Sequence, residues 1–212
     1  MILDQKDKKI FVSTLLLVVL HVVGLAGLSS SRHDVFLQLV PINLLLSAVL
    51  LFINHKEFNS GFYTFCFVTI LAGFFIEVMG VKTGFIFGEY RYGTTLGFKI
   101  MNVPLIIGLN WLILVYCTGI ICDKINTGIL IKSMLGALMM VLIDFFIEPI
   151  AVKYNFWSWR TSTIPIQNYS SWFIVSFVLL YIFYRSSFKK DNKMARILYI
   201  IQLVFFILLG II

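Results

Sequence analysis

Charge is scarce in this chain: 13% of its 212 residues are Asp, Glu, Lys or Arg, and only 10 are acidic. A soluble domain carries about 25%. No hydrophilic stretch is long enough for a separate soluble domain, so residues 1–212 are read as a single unit. The 3 cysteines, Cys66, Cys117 and Cys122, are odd in number, contain no CxxC and sit in or beside apolar runs. That excludes a disulfide framework and a zinc site. The 3 histidines are scattered, which excludes the histidine-rich di-iron site of membrane oxygenases. There is no GxGxxG after a strand, no P-loop and no Ser-His or Cys-His pair, so dinucleotide, ATP and triad chemistry are not expected. The 17 basic residues give a net charge of +7, but they lie in short connectors, as orientation in a bilayer requires and nucleic-acid binding does not.

What is present is hydrophobicity: 60% apolar residues and a mean hydropathy of +0.97. Seven apolar segments stand out, at about 10–28, 35–53, 62–81, 103–122, 129–152, 171–185 and 196–212. About 20 helical residues cross a 30 Å hydrocarbon core, so the expected fold is an all-α polytopic transmembrane bundle of about seven spans, six to eight. The sixth and seventh segments are short, as tilted or partly interfacial helices, or a packed hairpin, would be. The first is long, and six follow it, so it reads as a retained span and not a signal peptide. Placing the N-terminus in the cytoplasm of a cell inner membrane puts eleven basic residues inside and six outside (Arg32, Lys82, Arg91, Lys99, Lys153 and Arg160).

That topology gathers the intramembrane acids. Glu77 lies 15 residues after Phe62, and Asp144 lies 15 after Ile129. Both sit roughly 22 Å along helices running the same way. Glu148 is one turn beyond Asp144 on the same face. The two long connectors, 82–102 and 153–170, open at that end and are expected to be ordered and rich in glycine and aromatics. An acid inside an apolar helix is costly and marks function; pairing of Glu77 with Lys82, or of Glu148 with Lys153, is the bland alternative. Glycines at 80, 84, 88, 93 and 97 permit tight turns in a partly re-entrant loop, or helix packing if the stretch is helical. Trp157, Trp159, Trp172, Tyr154 and Tyr169 suit an aromatic belt, and equally a lining that stabilises a cation over the carboxyls. His21 and Asn43 read first as interhelical hydrogen-bonding residues.

These residues resemble the integral-membrane carotenoid hydratases of the CruF type, the carotenoid biosynthesis protein family. Its E-x-x-G-x-x-T-G-x-x-F-G-x-Y-x-Y block, followed by L-G, V-P and a Trp, is matched by Glu77, Gly80, Thr83, Gly84, Phe87, Gly88, Tyr90, Tyr92, Leu96, Gly97, Val103, Pro104 and Trp111. Its D-x-x-x-D-P, W-x-W and V-P-x-x-N-F-x-G-W block is matched by Asp144, Glu148, Pro149, Trp157, Trp159, Ile164, Pro165, Asn168, Tyr169 and Trp172. Glu148 stands for an aspartate, Tyr169 for a phenylalanine and Ser171 for a glycine; no carboxyl or ring is lost.

The resemblance implies hydration of a terminal C=C of an acyclic (psi) carotenoid end group, on a lycopene-like or monocyclic carotene, giving a tertiary alcohol. It implies no cofactor and no metal. A buried carboxylic acid can protonate the alkene, aromatic faces and a second carboxylate can stabilise the tertiary cation, and water then adds. Asp144 is the expected acid, with Glu148 or Glu77 positioning water. Thr83, Tyr90, Tyr92 and Asn168 are candidates to hold the water or the carboxyls, and Trp111, Trp157, Trp159 and Trp172 to line the site. The expected partners are carotenoid, water and membrane lipid, with no nucleic acid; the oligomeric state is not legible. Two other functions fit the same acids: an end-group cyclase that excludes water, and a non-enzymatic proton-coupled transporter.

Overall fold

The computed structural model describes residues 5–161 and 163–212; residues 1–4 and Ser162, the latter within the 153–170 connector, lie outside it, as does the side chain of Lys6. The chain folds as an all-α membrane bundle. Six helices are long and apolar enough to span: α1 (Gln5–Leu28), α4 (Ser60–Thr83), α5 (Ile106–Asp123), α6 (Ile129–Lys153), α7 (Ile166–Arg185) and α8 (Lys193–Ile211). The expected second span is instead broken into α2 (His33–Gln38) and α3 (Val40–Phe52). Pro41 lies at the start of α3, where its missing N–H and fixed φ suit a first turn but not a helix interior. At 13 residues α3 covers about 20 Å, short of the core on its own. It still runs antiparallel to α1, because Asn54 Nδ2 donates to Ser13 Oγ at 3.0 Å and the Lys9 ammonium reaches the Ile53 carbonyl. The sixth and seventh segments, expected to be short, are full spans. Pro165 and Asn192 start their helices several residues early, and the Asn192 side chain accepts from the Met194 N–H at 3.0 Å.

Helix α5 is the axis. Every residue from Trp111 to Ile120 is buried, as expected of a helix surrounded on all sides. By contrast α1 leaves Phe11, Leu15, Val19 and Val22 exposed on a lipid-facing stripe. At one end of the bundle Asp7 pairs with Lys193 at 3.9 Å, and Lys56 with Asp191. Just inside, the buried His55 ring stacks on Phe62. Its two nitrogens meet the Glu57 carbonyl at 2.8 Å and the Tyr116 hydroxyl at 2.7 Å, and Asn192 donates to the same hydroxyl at 3.2 Å. This network clamps the α3–α4 and α7–α8 turns onto α5.

At the other end the two long connectors form β-ribbons. Gly84, at φ +64°, ends α4 in the left-handed conformation that a Cβ disfavours. Residues Tyr90–Tyr92 form β1, which pairs antiparallel with β4 (Trp157–Trp159) in the register Tyr90↔Trp159, Arg91↔Ser158, Tyr92↔Trp157. A second ribbon, β2 (Lys99–Ile100) with β3 (Val103–Pro104), turns through Met101 and Asn102, both at positive φ, as a two-residue hairpin of this twist requires. Lys99 Nζ holds the Tyr92 carbonyl at 2.7 Å and joins the two ribbons. Glycine is thus used here for loop geometry.

Gly93 donates to the Phe156 carbonyl at 2.9 Å, and a Cβ there would lie 1.9 Å from the Asn155 carbonyl oxygen. Gly93→Ala is therefore expected to force the connectors apart and cost about 1–3 kcal/mol, read as a lower melting temperature in detergent. A pH effect follows from His55. Burial holds its ring below the ordinary imidazole value of 6.5. The unfolded chain therefore takes up the proton first, and stability present above pH 6.5 declines as pH falls towards the folded ring's own value. Melting curves between pH 7 and 5 should show this decline, and His55→Gln should flatten it.

Candidate active site

The three intramembrane acids converge. Glu77 lies about 9 Å from the end of α4, and Asp144 and Glu148 lie about 13 Å and 8 Å from the end of α6. All three are buried. Glu77 is within electrostatic reach of both others. Their partners are not the nearby lysines: among the described residues no Lys or Arg forms an ion pair with any of them.

The β1–β4 ribbon supplies the partners. Alternation in a strand puts residues two apart on one face, so Y-R-Y and W-S-W each present two rings to the bundle and one polar residue outward. The outward pair meets itself, Arg91 Nε donating to Ser158 Oγ at 3.2 Å. The inward four divide between two acids. Tyr90 and Tyr92 both donate to Glu77 Oε2, Tyr92 at 2.8 Å, while Trp111 Nε1 donates to Oε1 at 3.1 Å. Burial and the facing Glu77 hold both phenols well above their ordinary range, so they remain O–H donors. Trp157 Nε1 and Trp159 Nε1 donate to Glu148 Oε2 at 3.1 and 2.8 Å. The rings also pack across the ribbon, Tyr90 on Trp159 at 5.2 Å and Tyr92 on Trp157 at 5.9 Å.

Asn168, in the first turn of α7, joins the remaining pair. Its Nδ2 donates to Asp144 Oδ2 and Glu148 Oε1, both at 3.0 Å. One turn further along α7, Trp172 stacks on Trp111 at 4.3 Å and 18°. Glu77 and Glu148 thus each accept three hydrogen bonds. Asp144 accepts one, and its Oδ1 is buried with no partner among the described residues. A carboxylate surrounded by N–H and O–H donors is stabilised as the anion. No group of three or more His, Cys, Asp or Glu is arranged to hold a metal ion among the described residues.

Two cavities flank this cluster. A polar vestibule of about 570 Å³ is lined by Lys82, Glu89, Arg91 and Arg160, with Tyr90 and Trp159 also in its wall. A groove of about 230 Å³ runs along α1, α3, α5, α6 and α8; Ile143, Ile147 and Trp157 form its wall on the carboxyl side. One is lined largely by polar and charged side chains and the other by apolar ones, and each includes an aromatic donor to Glu148.

Of the residues singled out from sequence, Glu77, Asp144, Glu148, Tyr90, Tyr92, Trp111, Trp157, Trp159, Asn168 and Trp172 lie together. Thr83 does not join them. It is exposed, donates to the Met79 carbonyl at 2.7 Å and accepts from the Phe85 N–H at 3.1 Å, closing the end of α4 on the vestibule rim. The groove was not foreseen. Its polar members include Asn110 and Gln202, and the signal for the latter was a lone amide in the last apolar run.

A profile of the carotenoid biosynthesis protein family matches residues 37–212, and the chain belongs to that family. It is therefore a membrane protein of carotenoid metabolism. The bisanhydrobacterioruberin hydratase of Haloarcula japonica is a distant relative, 28% identical over 126 residues, which is 53% of this chain and 41% of that protein. No solved structure matches.

Changes that remove single hydrogen-bond donors should separate the cluster from its rim. Trp159→Phe and Tyr92→Phe each remove one donor to a buried carboxyl and should cost about 1.5–3 kcal/mol. Thr83→Ala should stay within about 0.5 kcal/mol. Denaturant titration in mixed micelles measures both.

Proposed function

We propose that the protein hydrates the terminal C=C of an acyclic carotenoid end group without a cofactor. The observation that carries this reading is the bare Oδ1 of Asp144, beside two hydrogen-bonded carboxyls whose aromatic partners line an oily groove (Trp157) and a polar vestibule (Tyr90 and Trp159). The hydratase name of the Haloarcula relative supports it too.

The polyene enters along the groove, with its end group at the aromatic cluster. Asp144 gives its proton to the less substituted alkene carbon; the π pair forms the new C–H bond and leaves a tertiary cation. Trp and Tyr faces and the Glu148 and Glu77 carboxylates stabilise that charge. Water from the vestibule forms the C–O bond, and the oxonium proton returns to Asp144, directly or through Glu148. The net change is addition of one water, a hydro-lyase reaction in reverse. The substrate is a lycopene-like carotene or a monocyclic carotene of the γ type with one open end.

The end of the bundle bearing Lys8, Lys9, Lys56, Lys124, Lys189, Lys190 and Lys193 is the cytoplasmic one by the positive-inside rule, so the site opens on the far side of the inner membrane.

Expression in a host that makes acyclic and γ-type carotenes should yield products heavier by one water. Asp144→Asn should lower hydration at least about 100-fold, the ordinary contribution of a positioned general acid. A cyclised product of unchanged mass would replace this reading with a cyclase. Unchanged carotenoid with proton-linked uptake would replace it with a transporter.

A further inference from the structure

The groove is short and closed at one end. On its five helices the lining falls within residues 20–28, 39–46, 107–114, 143–150 and 202–209, in each case about 11 Å of helix. All five stretches lie in the half of the bundle that holds the carboxyls. There the Tyr154 hydroxyl, after α6, donates to the Leu28 carbonyl at 3.0 Å, Gly210 lies against Ile150, and Pro41 lies against Gly97 of the connector. Just beyond the lining, deeper in the bundle, Leu17, Leu51, Met140 and Leu198 are each 0% exposed and make a solid floor. The lining is apolar apart from His21, Asn43, Asn110 and Gln202.

One side of the groove is open. Its lining residues Leu114, Ile143 and Leu209, on α5, α6 and α8, are exposed by 1% or less. By contrast Val23 on α1 and Leu39, Ile42 and Leu46 at α3 are 42–51% exposed. The rim that faces lipid is therefore the gap between α1 and α3. Deeper in the bundle Asn54 and Ser13 tie these helices at 3.0 Å, and nearer the connectors Phe36 presses on Gly27, where a Cβ would lie 2.1 Å from the ring. Between those ties the packing is loose. A Cβ on Gly24 would meet nothing nearer than Phe205 at 3.6 Å and Asn43 at 4.0 Å.

A carotene long enough to cross a core of about 30 Å is about three times the length of this groove. The groove's volume, about 230 Å³, is also below the roughly 300–1,000 Å³ of pockets that enclose drug-sized ligands. The chain cannot run on through the floor, and a conjugated polyene is too stiff to fold back. We infer that the groove seats the end group alone: it takes about the terminal third of the polyene, obliquely, and the rest passes out between α1 and α3 and stays in lipid. That the occupant is a carotenoid with its open end at Trp157 rests on the proposed function; the short, side-opening seat rests on the groove. The part outside is surrounded by lipid before and after binding, so it adds nothing to affinity. Chain length and the far end are therefore not read.

Binding tests this without requiring turnover. The full chain in lipid nanodiscs is titrated with lycopene, with a half-length fragment bearing the same open end, and with that fragment coupled at its cut end to a bulky triphenylsilyl group. Quenching of tryptophan fluorescence is the readout, with affinities expressed as mole fractions in the lipid. The three should bind equally within about two-fold, since only the shared end is seated. Narrowing the rim from both sides, with Val23→Phe and Ile42→Phe together, should weaken all three about ten-fold, as overfilling a packed contact does. Val19→Phe with Val22→Phe, on the lipid-facing stripe of α1, should leave them unchanged; Gly24→Leu repeats the rim test if the first pair does not fold. Weaker binding of the silyl-capped probe, a fragment that binds more than about ten-fold below lycopene, or equal effects of the rim and stripe pairs would overturn the inference. Hydration of carotenes together with any of those results defeats this inference alone. Length-independent binding that the rim pair weakens, with no hydration of any polyene, defeats the proposed function and leaves the side-opening seat.

Discussion

A carboxylate taken out of water must be given hydrogen-bond donors, and the structure is organised around meeting that demand twice. Four of the donors to Glu77 and Glu148 come from one three-residue ribbon, Tyr90–Tyr92 paired with Trp157–Trp159. The ribbon could not hold this register without Gly93 pressed against Asn155, nor without the left-handed turn at Gly84 that releases the chain from α4. Trp111 and Asn168 complete the two shells from α5 and α7. Helices α4 to α7 are thereby joined at one end through polar contacts that work only together.

Against that saturated background the single unpartnered oxygen of Asp144 stands out. The difference between the acids is not one of burial, since all three are enclosed; it is a difference in donor count. The aromatic rings serve in two ways. Their N–H and O–H edges hold the carboxylates, and their faces make walls for the space between groove and vestibule. A tryptophan does both where a serine or a lysine would not.

Much of this was legible in the sequence, and the reasons are physical. Helical rise fixes depth, so Glu77, Asp144 and Glu148 could be brought to one end by counting. Period-two alternation in Y-R-Y and W-S-W is equally plain, but the pairing of the two tripeptides joins residues 90 and 159, and nothing local specifies so distant a register. Thr83 sits inside the motif with the rest, yet the turn at Gly84 leaves its hydroxyl on the helix end. Pro41 stood in an apolar run long enough to span, and only the structure divides that run into α2 and α3. The groove escaped notice because it belongs to five helices at once and to no motif.

The order of the partners along the chain has a consequence for synthesis. Tyr90, Tyr92 and Trp111 follow Glu77, and Trp157, Trp159 and Asn168 follow Asp144 and Glu148. Each acid therefore leaves the ribosome before any group that will hold it. The α4 and α6 segments must enter the bilayer with their acids neutral or hydrated, and the shell closes last, once α7 has crossed. Biogenesis of this protein thus contains a stage at which the nascent chain is threaded but its interior is still wet.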